Sequence, residues 1–171
     1  MRTLLSATES TAAQTAAQTA AQTAVQTAAP PVQPVQALQA ALAAEHAAVY
    51  GYGIVGALLT GTSQAAARAD WEAHQEARDT LEAMIVQLGG TPVAASAAYQ
   101  LPFTVDSAQS ARRLAAALED GVAQAYLGVV ASTEATLRTF GALAMQPPAN
   151  RAAAWSGATV AFPGMGDSRP P

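Results

Sequence analysis

Residues 38–59, LQAALAAEHAAVYGYGIVGALL, set inward-looking positions at alternating spacings of four and three: Leu38, Leu42, Glu45, Val49, Tyr52, Gly56 and Leu59. That spacing is the seam of a helix packed lengthwise against other helices. One seam position, Glu45, is a carboxylate, and His46 follows it directly. A charge in the middle of an apolar stripe needs a partner or a ligand, because burying it alone is costly. Both the fold class and the search for chemistry start from this stretch.

The segment before it differs in kind. Residues 11–29 repeat AAQT with a single Val25. Alanine favours helix, yet nothing there is large enough to bury, so the expectation is a low-complexity, disordered arm. Pro30, Pro31 and Pro34 form a stiff hinge. The domain boundary is placed there: an arm and hinge over 1–34, a folded domain over 35–164 and a flexible tail over 165–171.

The first helix is expected from Val35 to Leu59, and the second from Ser63 to Leu88, capped by Thr62 or Ser63. The second seam reads Ala67, Trp71, His74, Arg78, Leu81, Ile85 and Leu88, apolar at its ends and charged in its middle. Gly89 and Gly90 close it. Residues 89–106 show no sustained period and read as a long crossover, with Tyr99, Leu101 and Phe103 covering an edge. A helical pattern then runs from Ser107, capped by Asp106 or Ser107, past residue 140. That is too long for one helix in a domain of this size, and Ser132-Thr133-Glu134 is the natural break. The third helix carries Ala115, Glu119, Val122, Tyr126 and Val129 as one seam. A second stripe, through Leu114, Leu118 and Val122, would leave Glu119 at the flank. The fourth helix spans about 134 to 157, interrupted at Pro147-Pro148, with Leu137, Phe140, Ala144 and Trp155 inward. An apolar stretch, ATVAFPGM, is expected to fold back on the bundle. Four helices of roughly 25 residues, each about 37 Å long, with one long central crossover describe an all-α, ferritin-like four-helix bundle.

Glu45, His74 and Glu119 each fall near the middle of a helix and so at one level. In ferritin-like di-metal proteins that level holds the metals, gripped by a glutamate from each of two helices and a Glu-x-x-His pair from each of the others. This chain lacks the pairs: Trp71 stands three residues before His74 and Ala43 three before His46, while the fourth helix offers Met145 at mid-height. No metal or other cofactor is therefore expected, with Glu45, His74 and Glu119 the candidate ligands for iron or manganese under the alternative reading. The favoured reading is a structural polar layer of Glu45, His74, Arg78, Glu119, Tyr52 and Tyr126. In it Arg78 pairs with a buried carboxylate, and the layer fixes helix register. His46, one position off the seam, is expected at a flank, bonded to a neighbour.

Composition narrows the rest. All 8 basic residues of the 171-residue chain are arginine, against 12 acidic ones, giving a net charge of −4 and no basic stripe for nucleic acid. The chain contains no cysteine, which removes disulfides and thiolate chemistry. No apolar run approaches the roughly 18 residues that cross a bilayer, and no apolar signal-peptide core is visible. A cytoplasmic location is the expectation. No phosphate loop or nucleophile elbow is present, and no catalytic residue is assigned.

Five short motifs, AAEHAAVYGYGIVGALL, then W-x-x-H-x-x-x-R-D at 71–79, AYQLPF, LEDGVAQAY and VAFPG, together resemble an actinobacterial ferritin-like family of unknown function. The resemblance covers about 35–164 and implies a ferritin-like fold without an established activity. The Pro147-Pro148 pair departs from an uninterrupted last helix. The expectation is a non-catalytic, self-associating bundle, a dimer first. Glycines 51, 53, 56, 121, 128 and 141 would permit close helix approach within or between chains. The alternatives are a metal-dependent redox or storage protein, or a small-molecule binder with tyrosines lining an internal pocket.

Overall fold

A computed structural model describes residues 33–158. They lie in one of the chain's two compact units, Val32–Pro171. The AAQT arm and the VAFPG motif fall outside the described residues. Among the described residues five helices follow one another: α1 (Pro34–Leu58), α2 (Gly61–Gln87), α3 (Ala108–Val130), α4 (Ala135–Ala144) and α5 (Gln146–Ser156). The described part of the protein is all-helical, and no described helix is long and apolar enough to cross a membrane.

Local chemistry sets the helix ends. Pro34 sits in the first turn of α1, where its missing N–H is no loss. The link from α1 to α2 is Leu59 and Thr60 alone, and so short a reversal uses the left-handed conformation of Gly61 (φ 59°). Thr60, rather than Thr62 or Ser63, is the N-cap, and it makes no side-chain capping bond. Ser63 Oγ instead accepts from Arg112 of α3 at 3.0 Å. Ser107 caps α3 in a reciprocal pair with Ser110. The break at 131–134 is present, and Ser132 Oγ accepts from the Glu134 backbone N–H. The fourth expected helix divides at Met145, just ahead of Pro147-Pro148, into α4 and α5.

Contacts between elements fix their directions. Glu45 of α1 meets His74 of α2, and Trp71 Nε1 donates to the Val49 carbonyl, so these two helices run antiparallel. On α3, Tyr126 meets Glu45 and Glu119 meets Tyr52, so α3 is antiparallel to α1 and parallel to α2. Joining parallel neighbours requires a crossover the length of the helices, supplied by residues 88–107. It runs alongside α1. Gln39 bonds both Thr91 and Val93, the Tyr50 and Tyr99 rings lie 5.4 Å apart, and Leu101, Phe103 and Val105 cover the far end.

The core is two apolar clusters with a charged layer between them. Leu38, Leu42, Leu81, Ile85, Val129 and Leu137 fill one end. Tyr52, Val55, Leu59, Ala67, Ala111 and Leu114 fill the other. Of the glycines read as close-approach points, only two meet a neighbour among the described residues. A Cβ on Gly51 would lie 2.5 Å from Leu118, and one on Gly141 2.9 Å from the Val130 nitrogen. Glycines 53, 56, 121 and 128 have no described atom within 4 Å of where a Cβ would be.

Candidate functional site

Glu45, His74 and Glu119 come together as the helix spacing requires, each at most 1 % exposed. His74 lies between the two carboxylates, Nδ1 2.6 Å from Glu45 Oε2 and Nε2 3.1 Å from Glu119 Oε1. Burial by itself would lower the His74 pKa. The hydrogen bonds to Glu119 and Glu45 and the charges of both outweigh it and push the imidazole up to about 9. At neutral pH His74 is therefore an imidazolium that donates from both ring nitrogens. Both stripes read on α3 turn inward, Leu114 and Glu119 being fully buried, so Glu119 is not at a flank.

Each apolar cluster sends one phenol into this layer. Tyr126 donates to Glu45 Oε1 at 2.8 Å, which leaves both Glu45 oxygens bonded. Tyr52 donates to Glu119 Oε1 at 2.6 Å, with Asp70 Oδ2 farther off at 3.3 Å. Burial first, and then the adjacent carboxylate, raises both phenols far above their ordinary range, so they remain protonated donors.

The arginine of the layer is Arg151, not Arg78. Arg151 Nε lies 2.7 Å from Glu119 Oε1 and 3.7 Å from Asp70 Oδ1. Burial works to raise Glu119, but the hydrogen bonds from His74 and Arg151 prevail and hold its carboxyl below the usual carboxylate range. Arg78 turns out to its neighbour Asp79, at 2.7 Å and with Asp79 64 % exposed. Leu42 and Leu81 occupy the next level of the core, so a guanidinium pointing inward there would find no acceptor. A further chain of contacts extends the layer toward the surface. Trp155 Nε1 donates to Asp70 Oδ2 at 2.8 Å; burial nonetheless leaves Asp70 raised, with that bond opposing the rise.

Arg151 and Asp70 form the part of the site that the seam reading left out, and Trp155, expected inward, joins them. A signal for Arg151 was present, since it stands four residues before Trp155 and shares its helix face. Asp70 bears the same relation to His74. His46 lies at the flank as expected, its Nε2 3.0 Å from the Val93 carbonyl.

A metal ion does not fit the layer in this arrangement. Among the described residues no three His, Asp or Glu side chains are placed to hold one. The reason is visible in the distances: His74 touches both carboxylates directly, leaving no gap for a cation, and as an imidazolium it has no free lone pair. Among the described residues one buried side-chain atom has no hydrogen-bond partner, Glu119 Oε2. Three donors converge instead on Oε1.

An all-helical protein built around a buried imidazolium–carboxylate layer is the class that this fold and site define. The chain belongs to the family described as Domain of unknown function (DUF4439), whose model matches residues 37–167. It is also similar to the crystal structure of a conserved hypothetical protein, rv2844, from Mycobacterium tuberculosis. The two are 38 % identical with a TM-score of 0.68, over 71 % of this chain and 92 % of that one. No curated protein matches the chain.

Proposed function

We propose that the protein is a ferritin-like four-helix bundle in which an internal ion-pair layer stands where a di-metal centre would lie, and that it works as a non-catalytic helical scaffold, self-associating as a dimer. The helix directions and the long crossover support the bundle, with α4 and α5 together forming its fourth member. The observation that carries the reading is the double donation from His74 to Glu45 and Glu119. Two carboxylates that would otherwise attract a cation are neutralised by His74 and Arg151, so the layer is charge-paired without one.

A second reading, an abbreviated iron or manganese site on Glu45, His74 and Glu119, is favoured by the orphaned Glu119 Oε2. It requires a metal to displace the His74 proton and to part the three side chains. One experiment separates the two. Protein expressed in iron- and manganese-supplemented medium is assayed for metal, and its urea midpoint is measured with added metal and with chelator. The scaffold reading expects far less than one ion per chain and an unmoved midpoint. One or two ions per chain overturn it if chelation lowers the midpoint and Glu45→Ala abolishes the effect. A metal at a hundredfold excess over its dissociation constant would add about 2.7 kcal/mol.

A further inference from the structure

Among the described residues, an open cavity of about 620 Å3 lies between the second half of α1 and the first half of α2. The two helices are antiparallel and joined through Leu59 and Thr60 alone, so these halves flank one another. α1 supplies Tyr52, Gly53 and Gly56 to the lining, and α2 supplies Gln64, Arg68 and Trp71. The three α2 residues follow one another at spacings of four and three, and so share a helix face. The volume lies in the range of pockets that hold small organic molecules.

The walls restrict what fits. Gly53 and Gly56 have no described atom within 4 Å of a Cβ position. Glycine weakens a helix relative to alanine, and no close neighbour among the described residues offsets that loss. What the two glycines leave is the space itself. The aromatic walls have their polar atoms committed elsewhere. Trp71 Nε1 donates to the Val49 carbonyl at 3.1 Å, and the Tyr52 hydroxyl donates to Glu119 at 2.6 Å. Each ring therefore offers carbon to the cavity and is fixed in place by its bond. Gln64 likewise gives its amide N–H to the Gly56 carbonyl at 3.0 Å. A flat aromatic body matches such walls, through ring contacts rather than hydrogen bonds.

Charge selects the other end of the ligand. Among the lining residues Arg68 alone is charged, and no carboxylate joins it there. Its Nε lies 3.0 Å from Glu72, one turn along α2, with both side chains exposed. An exposed pair of this kind is weak, and the guanidinium keeps further N–H donors for a second carboxylate.

We propose that this cavity binds a compact aromatic carboxylate. The ring lies against Trp71, Tyr52 and the bare α1 backbone at Gly53 and Gly56, and the carboxylate meets Arg68 at the mouth. Of the lining residues only Tyr52 belongs to the charged layer, so this binding role does not rest on the scaffold reading.

Isothermal titration calorimetry of the full chain with cinnamate tests the proposal, with uncharged cinnamamide as its companion. Gly56→Leu puts a side chain into the cavity, at a position where a Cβ meets no described atom. Gly121→Leu makes the same change at an open position on α3, and urea midpoints establish that both variants fold. Cinnamate should saturate at one per chain, bind Gly56→Leu about tenfold more weakly, and bind Gly121→Leu as it binds the wild-type protein. Arg68→Gln lies on the surface and carries the test even if Gly56→Leu does not fold. It should weaken cinnamate about threefold, as loss of an exposed ion pair does, and leave cinnamamide unchanged. The absence of saturable binding, equal affinity in folded Gly56→Leu, or full cinnamate affinity in Arg68→Gln overturns the proposal. So does a dimer that Gly56→Leu reduces to monomers while the wild-type protein takes up no cinnamate, which would assign the groove to a second copy.

Discussion

Arg151 Nε lies 2.7 Å from Glu119 Oε1, joining α5 to α3 across 32 residues of sequence. With His74 and Tyr52 it is one of three donors on a single carboxylate oxygen. The C-terminal helix α5 is therefore held to α3 by charge as well as by apolar packing.

Replacing Arg151 should be costly and replacing Arg78 should not. Arg151→Leu leaves Glu119, fully buried, with one charged partner fewer. The expected loss is about 3 kcal/mol, at the low end for a broken buried pair, because the arginine is itself 21 % exposed. Arg78→Leu removes only a contact with exposed Asp79 and should stay within about 0.5 kcal/mol. Urea denaturation of the two variants side by side measures the difference, and equal effects would mean that Glu119 does not depend on the guanidinium.

The imidazolium makes stability depend on pH in a definite direction. His74 holds its proton more tightly folded, at about 9, than unfolded, at the ordinary histidine value of 6.5. Between those values the native state binds more protons, so stability is fully present below pH 6.5 and falls as pH rises toward 9. A shift of this size corresponds to about 3 kcal/mol. Urea midpoints at pH 6, 7.5 and 9 should decline in the wild-type protein, and the decline should flatten in His74→Gln. On the acid side Glu119, held low, contributes stability that is lost as pH drops below the usual carboxylate range.

The phenols give a finer test. Tyr126→Phe removes the donor on Glu45 Oε1 and should cost about 1.5–3 kcal/mol, the range for a hydrogen bond to a charged group. Tyr50→Phe keeps the tilted ring contact with Tyr99 at a position 37 % exposed and should change stability by less than about 0.5 kcal/mol. Thermal melts of both variants at pH 7 provide the comparison.

Much of this layer was legible in the sequence because helix periodicity fixes both face and height. Glu45, His74, Glu119, Tyr52 and Tyr126 each occupy a seam position in the first three helices, and all five meet. Arg78 also occupies a seam position, yet it turns away. Periodicity gives the direction of a Cβ but not the end of a long, flexible side chain, and arginine takes its head to the nearest polar partner. Arg151 was missed because it lies beyond Pro147-Pro148, where the register restarts and Trp155 alone was read as inward; the position four residues before it shares that face. The glycine pattern marks close approach within the chain only at Gly51 and Gly141, for a related reason. Small residues recur on exposed faces of an alanine-rich chain as readily as on packed ones, and only the neighbour across the gap distinguishes them.

That distinction yields the last prediction, on two helical glycines of opposite surroundings. At Gly141 an added Cβ would lie 2.9 Å from the Val130 nitrogen and 3.1 Å from the Tyr126 carbonyl oxygen. Both are backbone atoms of α3, so the new methyl cannot be accommodated by a side-chain rotation. α4 must move off α3, and overpacking of this kind costs about 1–3 kcal/mol. Gly121 is exposed in the middle of α3, with nothing within 4 Å of its Cβ position. Alanine there clashes with nothing and removes glycine's entropic penalty in a helix, a gain of about 0.5–1 kcal/mol. The same chemical change should therefore lower the urea midpoint at 141 and raise it at 121. Contact between α3 and α4 through Gly141 is refuted if Gly141→Ala is as stable as Gly121→Ala. A loss at 121 instead would reveal a partner on that open face of α3, and the interface of the proposed dimer would be sought there.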